Sequence, residues 1–131
     1  MPIKPKPRTG RPGSRAASIA IKRVYDDASP GDGMRILIDR LWPRGFSKSS
    51  LNHDAWMRDL APSNELRKWY GHDPRRFAEF RRRYRRELAP HGDELAALRE
   101  KLKGRTATLL TATREIELSH AIVLRELIEK K

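Results

Sequence analysis

The feature that most narrows the fold is three consecutive aliphatic residues, Ile36-Leu37-Ile38, inside the segment Met34 to Asp39. A strand with one wet face alternates apolar and polar residues, whereas a strand covered on both faces has no need to. The run follows Asp27-Ala-Ser-Pro-Gly-Asp-Gly33, a stretch dense in turn formers. Met34 to Asp39 is therefore expected to be a central strand of a mainly parallel sheet, and the rest of the chain is read for what pairs with it and covers it.

Ile19, Ile21, Val24 and Tyr25 predict a first strand within residues 18 to 25, and the Thr- and Leu-rich segment 106 to 112 predicts a third. Four helical patterns accompany them. Ser63 can cap a short helix carrying Leu66, Trp69 and Tyr70 that stops at Gly71. Asp73 with Pro74 opens a second, whose Phe77, Phe80, Tyr84 and Leu88 form one stripe until Pro90 ends or kinks it. A third carries Leu95, Leu98 and Leu102 and ends near Gly104. The last is expected over 115 to 129, with Ile116, His120, Val123 and Leu127 on one face and Thr113 as its N-cap. Residues 40 to 62 hold no lasting period, although Trp56, Met57 and Leu60 fit a short helical or extended piece. The expected fold is α/β: a small, mainly parallel sheet of at least three strands flanked by helices.

With 131 residues the chain has room for one domain, read as 17 to 131, preceded by a tail over 1 to 16. That tail holds four prolines and five cations (Lys4, Lys6, Arg8, Arg11 and Arg15) with no acid, so it is expected to be disordered. The formal charge is +12, but without the tail 24 cations face 17 acids. The body is basic yet mixed. No apolar run reaches the roughly 20 residues of a membrane helix and no secretory signal is visible, so the expected location is the cytoplasm. With no Cys, thiol chemistry, disulfides and thiolate metal sites are excluded. Nothing calls for a cofactor or a metal: His53, His72 and His91 are scattered, and no P-loop, dinucleotide fingerprint or serine elbow is present.

Asp39-Arg40-Leu41-Trp42-Pro43-Arg44-Gly45 leaves the carboxyl end of the second predicted strand, where open α/β sheets bind ligands. Arg40 and Arg44 can fork onto a carboxylate or phosphate, beside the face of Trp42 and a glycine, Gly45, that admits close backbone approach. The plain alternative is that Arg40 pairs with an acid and Trp42-Pro43 packs the loop. A second candidate is Thr111, Thr113 and Arg114, where hydroxyls and free N–H groups at a helix start can hold an anion, although Thr113 is also an ordinary N-cap. His120 faces inward on the last helix and, with Asp39, is the candidate acid or base; a lone inward His is also a common structural residue. Seven arginines between Arg75 and Arg86 resemble a nucleic-acid footprint, but the helical wheel turns Arg75, Arg82 and Arg86 outward beside Glu79, as in a solvated face.

The ordered series Lys22-Arg-Val-Tyr-Asp26, Asp39-Arg-Leu-Trp-Pro-Arg-Gly45, Asp59-Leu-Ala-Pro-Ser63, Glu65-Leu-Arg-Lys-Trp-Tyr-Gly-His-Asp73 and Phe80-Arg-Arg-Arg-Tyr-Arg-Arg-Glu-Leu88 resembles the YeaO-like family, a bacterial branch of domain of unknown function 488. The resemblance runs from about residue 19 to the C-terminus. Against the wider set, Asp39, Arg40 and Pro43 match one motif and Leu109, Leu110, Ala112 and His120 another. Thr111 and Ser119 stand where that set has Cys, and Ala121 where it has Arg. The resemblance thus implies that Asp39, Arg40 and His120 share a pocket, and it carries over no thiol-dependent reaction. The expected function is binding of a small anionic ligand, phosphorylated or carboxylated, at the strand ends, with His120 and Asp39 available for proton exchange. The alternative is a nucleic-acid-binding module using the tail and the arginine-rich helix.

Overall fold

The computed structural model describes residues 18–129; the expected tail over 1 to 16 lies outside them. The strands are β1 (Ser18–Arg23), β2 (Met34–Leu37), β3 (Ala55–Trp56) and β4 (Thr106–Thr111). The α-helices are α1 (Asn64–Tyr70), α2 (Phe77–Leu88), α3 (Gly92–Leu102) and α4 (His120–Glu129). All pairs in the sheet are parallel and the order is β1-β4-β2-β3. The fold is α/β, as expected, and β2 is interior. β4, the last strand in sequence, inserts between β1 and β2, where its Ala107, Leu109 and Leu110 are fully buried. Arg23 sits opposite Thr111 and Leu37 opposite Leu110, so the carboxyl ends of the three longer strands emerge level with one another.

The two faces of the sheet are covered differently. Ile19, Ile36, Ile38, Ala107 and Leu109 pack against all four α-helices in the main core. Phe80, Tyr84 and Leu88 of α2 are buried there, as their spacing predicts, each contributing about 2 kcal/mol from removal of apolar surface. On the opposite face Val24, Leu37 and Leu110 meet Leu51, Trp42 and Phe46, supplied by the irregular segment after β2. The aliphatic run is thus covered on both sides, but helices lie on one side only. Residues 40 to 62, which show no period, contain β3 and serve as this second cover.

The caps of α1 match the sequence: the Ser63 hydroxyl accepts from Leu66 N at 3.1 Å and Gly71 takes a φ of +54°. Asp73 caps a 3₁₀ turn over Pro74–Arg76 that leads into α2. The last helix differs from expectation. A 3₁₀ turn occupies Ile116–Leu118 and α4 starts at His120. Ser119, whose hydroxyl accepts from Ala121 N at 3.2 Å and donates to Ile116 O at 2.7 Å, serves the first turn in place of Thr113. A 3₁₀ turn and an α-helix both return to one face within three or four residues, so the apolar spacing could not reveal the break. His120 consequently stands at the start of the helix rather than one turn inside it.

Candidate functional site

A cavity of about 580 Å³ opens at the carboxyl ends of β2 and β4. One wall is the segment from Asp39 to Arg44, another the end of β4 through Thr113, and a third the start of α4 with His120. α1 closes the remaining side with Arg67, Lys68 and Tyr70. Its position is set by contacts to other elements. Ser63 N and Oγ donate to the Glu87 carboxylate at 2.9 and 2.6 Å, and Tyr70 OH donates to Leu118 O at 2.6 Å. Burial, together with the charges of Glu115 and Asp73, pushes the Tyr70 phenol up to about 12, so it remains a donor at neutral pH.

Asp39 is held from three directions. Thr111 Oγ1 and Ala112 N each donate to its carboxylate at 2.8 Å, and His120 Nε2 lies 3.3 Å from Oδ1. Burial raises its pKa, but the hydrogen bond and charge of His120, with the other two donors, outweigh this and hold it below the ordinary carboxylate value. His120 Nε2 also lies 3.0 Å from Ile38 O. A carbonyl and a carboxylate both require a proton on that nitrogen, which assigns the Nε2–H tautomer. Among the described residues Nδ1 has no partner, so it is the ring nitrogen available to a ligand.

Arg40 is partly buried and its partners are backbone carbonyls. Nε donates to Pro62 O at 3.2 Å and one terminal nitrogen to Ala61 O at 3.0 Å. Among the described residues it has no carboxylate partner, so the alternative of an Arg40–acid pair is not what the fold uses. Carbonyl dipoles orient the guanidinium without cancelling its charge. Thr113 lines the same cavity, and its hydroxyl is the one side-chain polar atom among the described residues that is buried without a hydrogen bond. Such groups are rare in native structures and mark places where a water or ligand completes the bonding.

The other predicted site residues separate. Trp42 lines the cavity, but its indole N–H donates to Phe46 O at 2.8 Å and its ring stands edge-on to Trp56 and His53, so it supplies wall. Arg44 lines the cavity and is exposed. Gly45 adopts a φ of +89° in the loop and is outside the lining. Arg114 borders a different, shallow depression with Ile21 and Glu117. Arg67, Lys68, Tyr25 and Tyr70 were not foreseen, because only tertiary packing brings α1 and the end of β1 to this spot. Among the described residues no group of three His, Asp or Glu is disposed to hold a metal ion.

The arginines of α2 and of the 3₁₀ turn before it are largely engaged. Asp73 bridges Arg75 and Arg76, Glu79 bridges Arg82 and Arg83, and Glu126 of α4 bridges Arg81 and Arg85. Arg76 and Arg83 also lie over the Trp69 ring, 5.3 and 4.2 Å from its centroid.

Comparison with known proteins agrees with this arrangement of motifs. A family model described as the inactive DUF488-N3 subclade matches residues 18–131. An uncharacterised protein of Mycobacterium tuberculosis is 46% identical over 115 residues, covering 87% of this chain and 96% of its own. The uncharacterised protein YeaO of Escherichia coli is 43% identical over 109 residues, covering 83% of this chain and 95% of its own. No solved structure matches. On these matches, the chain belongs to the YeaO-like DUF488 family.

Proposed function

We propose that the cavity binds a small anionic molecule, carboxylated or phosphorylated, at the strand carboxyl ends. The observation that carries this reading is Arg40: a partly buried guanidinium, oriented by two carbonyls and without a carboxylate partner among the described residues. Leaving such a charge uncompensated in a cleft is costly, and an anion relieves it. Thr113 Oγ1 adds an unfilled donor for the anion, His120 Nδ1 can accept from a hydroxyl or protonated group of the ligand, and Arg44, Arg67 and Lys68 make the surroundings positive.

The same geometry limits the chemistry. The hydroxyls of Thr111, Ser119 and Tyr70 all donate within the protein, and Asp39 already accepts two donors besides His120. Proton exchange therefore falls to His120 Nδ1, with Asp39 orienting the ring. A site built mainly to hold its ligand is in keeping with a family described as inactive. Screening phosphorylated and carboxylated metabolites by thermal shift and calorimetry tests the reading. Saturable binding that Arg40→Gln and His120→Ala each weaken at least tenfold, with the fold retained, supports it. Absence of any saturable anion binding refutes it.

A further inference from the structure

We propose that the ligand is an amphiphilic organic anion, with its charged head at Arg40 and an aliphatic or aromatic body that fills the cavity and reaches its mouth; this rests on the anion-binding reading above. The first reason is size. At about 580 Å³ the cavity falls among sites that enclose a whole organic molecule, roughly 300–1,000 Å³. A bare phosphate or acetate leaves most of that space unfilled. The second reason is the walls. Pro43, Ala61, Pro62, Phe80 and Leu118 offer a body no side-chain hydrogen-bonding groups, and water placed against them lacks the two to four polar partners an ordered water needs.

The third reason is the mouth. Among the described residues, two large apolar side chains are exposed, Tyr25 at 47% and Leu41 at 61%, and both line this cavity. Single exposed apolar residues scattered over a surface need no explanation, but here both gather at one opening. An occupant longer than the cavity covers them. Arg44, Arg67 and Lys68, exposed and lining the same cavity, lay their alkyl stems along such a body while their charges draw the anion in.

The test is a homologous series titrated into the full chain: acetate, butyrate, hexanoate and octanoate, with inorganic phosphate, butyl phosphate and phenyl phosphate beside them. Affinity is expected to rise about fourfold for each added methylene, the ratio that burial of one CH₂ confers. Leu41→Ser and Tyr25→Ser, both at exposed positions that the fold tolerates, should reduce this gain for the longest members. Arg40→Gln should weaken every member by a similar factor. If all members bind with the affinity of acetate, or inorganic phosphate binds as tightly as its esters, the amphiphile inference fails while anion binding stands. If none of these anions binds saturably, the anion-binding reading fails and this inference with it. A series whose gain per methylene is unchanged in Leu41→Ser and Tyr25→Ser also overturns the placement of the body at the mouth.

Discussion

The two ends of the sheet each carry a well-bonded acidic residue, buried Asp32 at one and half-buried Asp39 at the other, and they use it in opposite ways. At the amino end Asp32 accepts from Lys22 Nζ at 3.1 Å, from Ser29 N and Oγ at 3.0 Å each, and from the Arg35 guanidinium. Arg35 is itself held by Asn52 O at 2.6 Å, and the Thr108 hydroxyl donates to Asp32 O at 2.8 Å. Each charge there meets an opposite charge, and none of the three side chains lines the carboxyl-end cavity. At the carboxyl end Asp39 is equally well bonded, but among the described residues Arg40, Arg44, Arg67 and Lys68 have no carboxylate partner, and the Thr113 hydroxyl and His120 Nδ1 have no hydrogen-bond partner. A closed polar cluster specifies how strands and turns meet; an open one leaves bonding capacity for something outside the chain.

The sharpest way to break this contrast is to disturb the closed end. Gly33 takes a φ of +66°, and a Cβ there would stand 2.1 Å from Thr106 O at the start of β4. Gly33→Ala should therefore destabilise the protein by about 4 kcal/mol, lowering the melting temperature by about 15 °C. Arg35→Ala comes next, since it leaves Asp32 buried with Lys22 as its remaining cation. A loss of about 3 kcal/mol in denaturant unfolding is expected. A loss below about 1 kcal/mol would show that the amino-end cluster does not anchor the fold.

Acid titration separates the two carboxylates. The backbone N–H of Ser29, with Lys22, the Ser29 hydroxyl and Arg35, holds Asp32 well below the ordinary carboxylate range against the opposing effect of burial; Asp39 is also held below it. A carboxylate whose folded pKa is depressed contributes stability above the unfolded value of about 4, and that contribution is lost as pH falls through the folded value. Wild-type stability should accordingly drop below about pH 4. Asp32→Asn should flatten this limb more than Asp39→Asn, which at neutral pH should cost about 1–2 kcal/mol. Chemical denaturation at several pH values measures both.

At the open end the effects on stability should be smaller and those on binding larger. Arg40→Gln removes hydrogen bonds to the carbonyls of two buried residues, Ala61 and Pro62, a loss of about 1–2 kcal/mol, while weakening anion binding at least tenfold. The smallest expected effect concerns nucleic acid. Because six arginines of α2 and the turn before it share three carboxylates, association with duplex or single-stranded DNA should be weak and should disappear at about 0.15 M salt. Sub-micromolar affinity at that salt, lost in an Arg75, Arg82, Arg86 triple alanine variant, would favour the nucleic-acid reading instead.

The two ends also differ in how readable they were. Asp39, Arg40 and His120 were legible because a strand end, a following motif and an inward helical face are local patterns, and parallel topology then brings strand ends together. The amino-end cluster left no trace of this kind: Asp32 falls among turn formers, Lys22 and Arg35 fall within predicted strands, and no local pattern joins them. Lys68 and Tyr70 looked like parts of a short helix, and nothing local says that α1 will roof a cavity.

By itself, then, the order of residues determined the class of fold, the interior place of β2, the inward stripe of α2, the caps of α1 and the motif at the mouth of the sheet. Each of these follows from spacing within a few turns or from the intrinsic preference of Gly, Pro, Ser and Asp. Tertiary structure alone decided that β4 enters between β1 and β2, that helices lie on one face while a loop covers the other, and that α4 waits until His120. It also decided which charges are cancelled and which are left open. The physical reason is that pairing across the sheet and neutralisation of charge join residues far apart in the chain, and a pattern confined to neighbours carries no information about who those distant partners are.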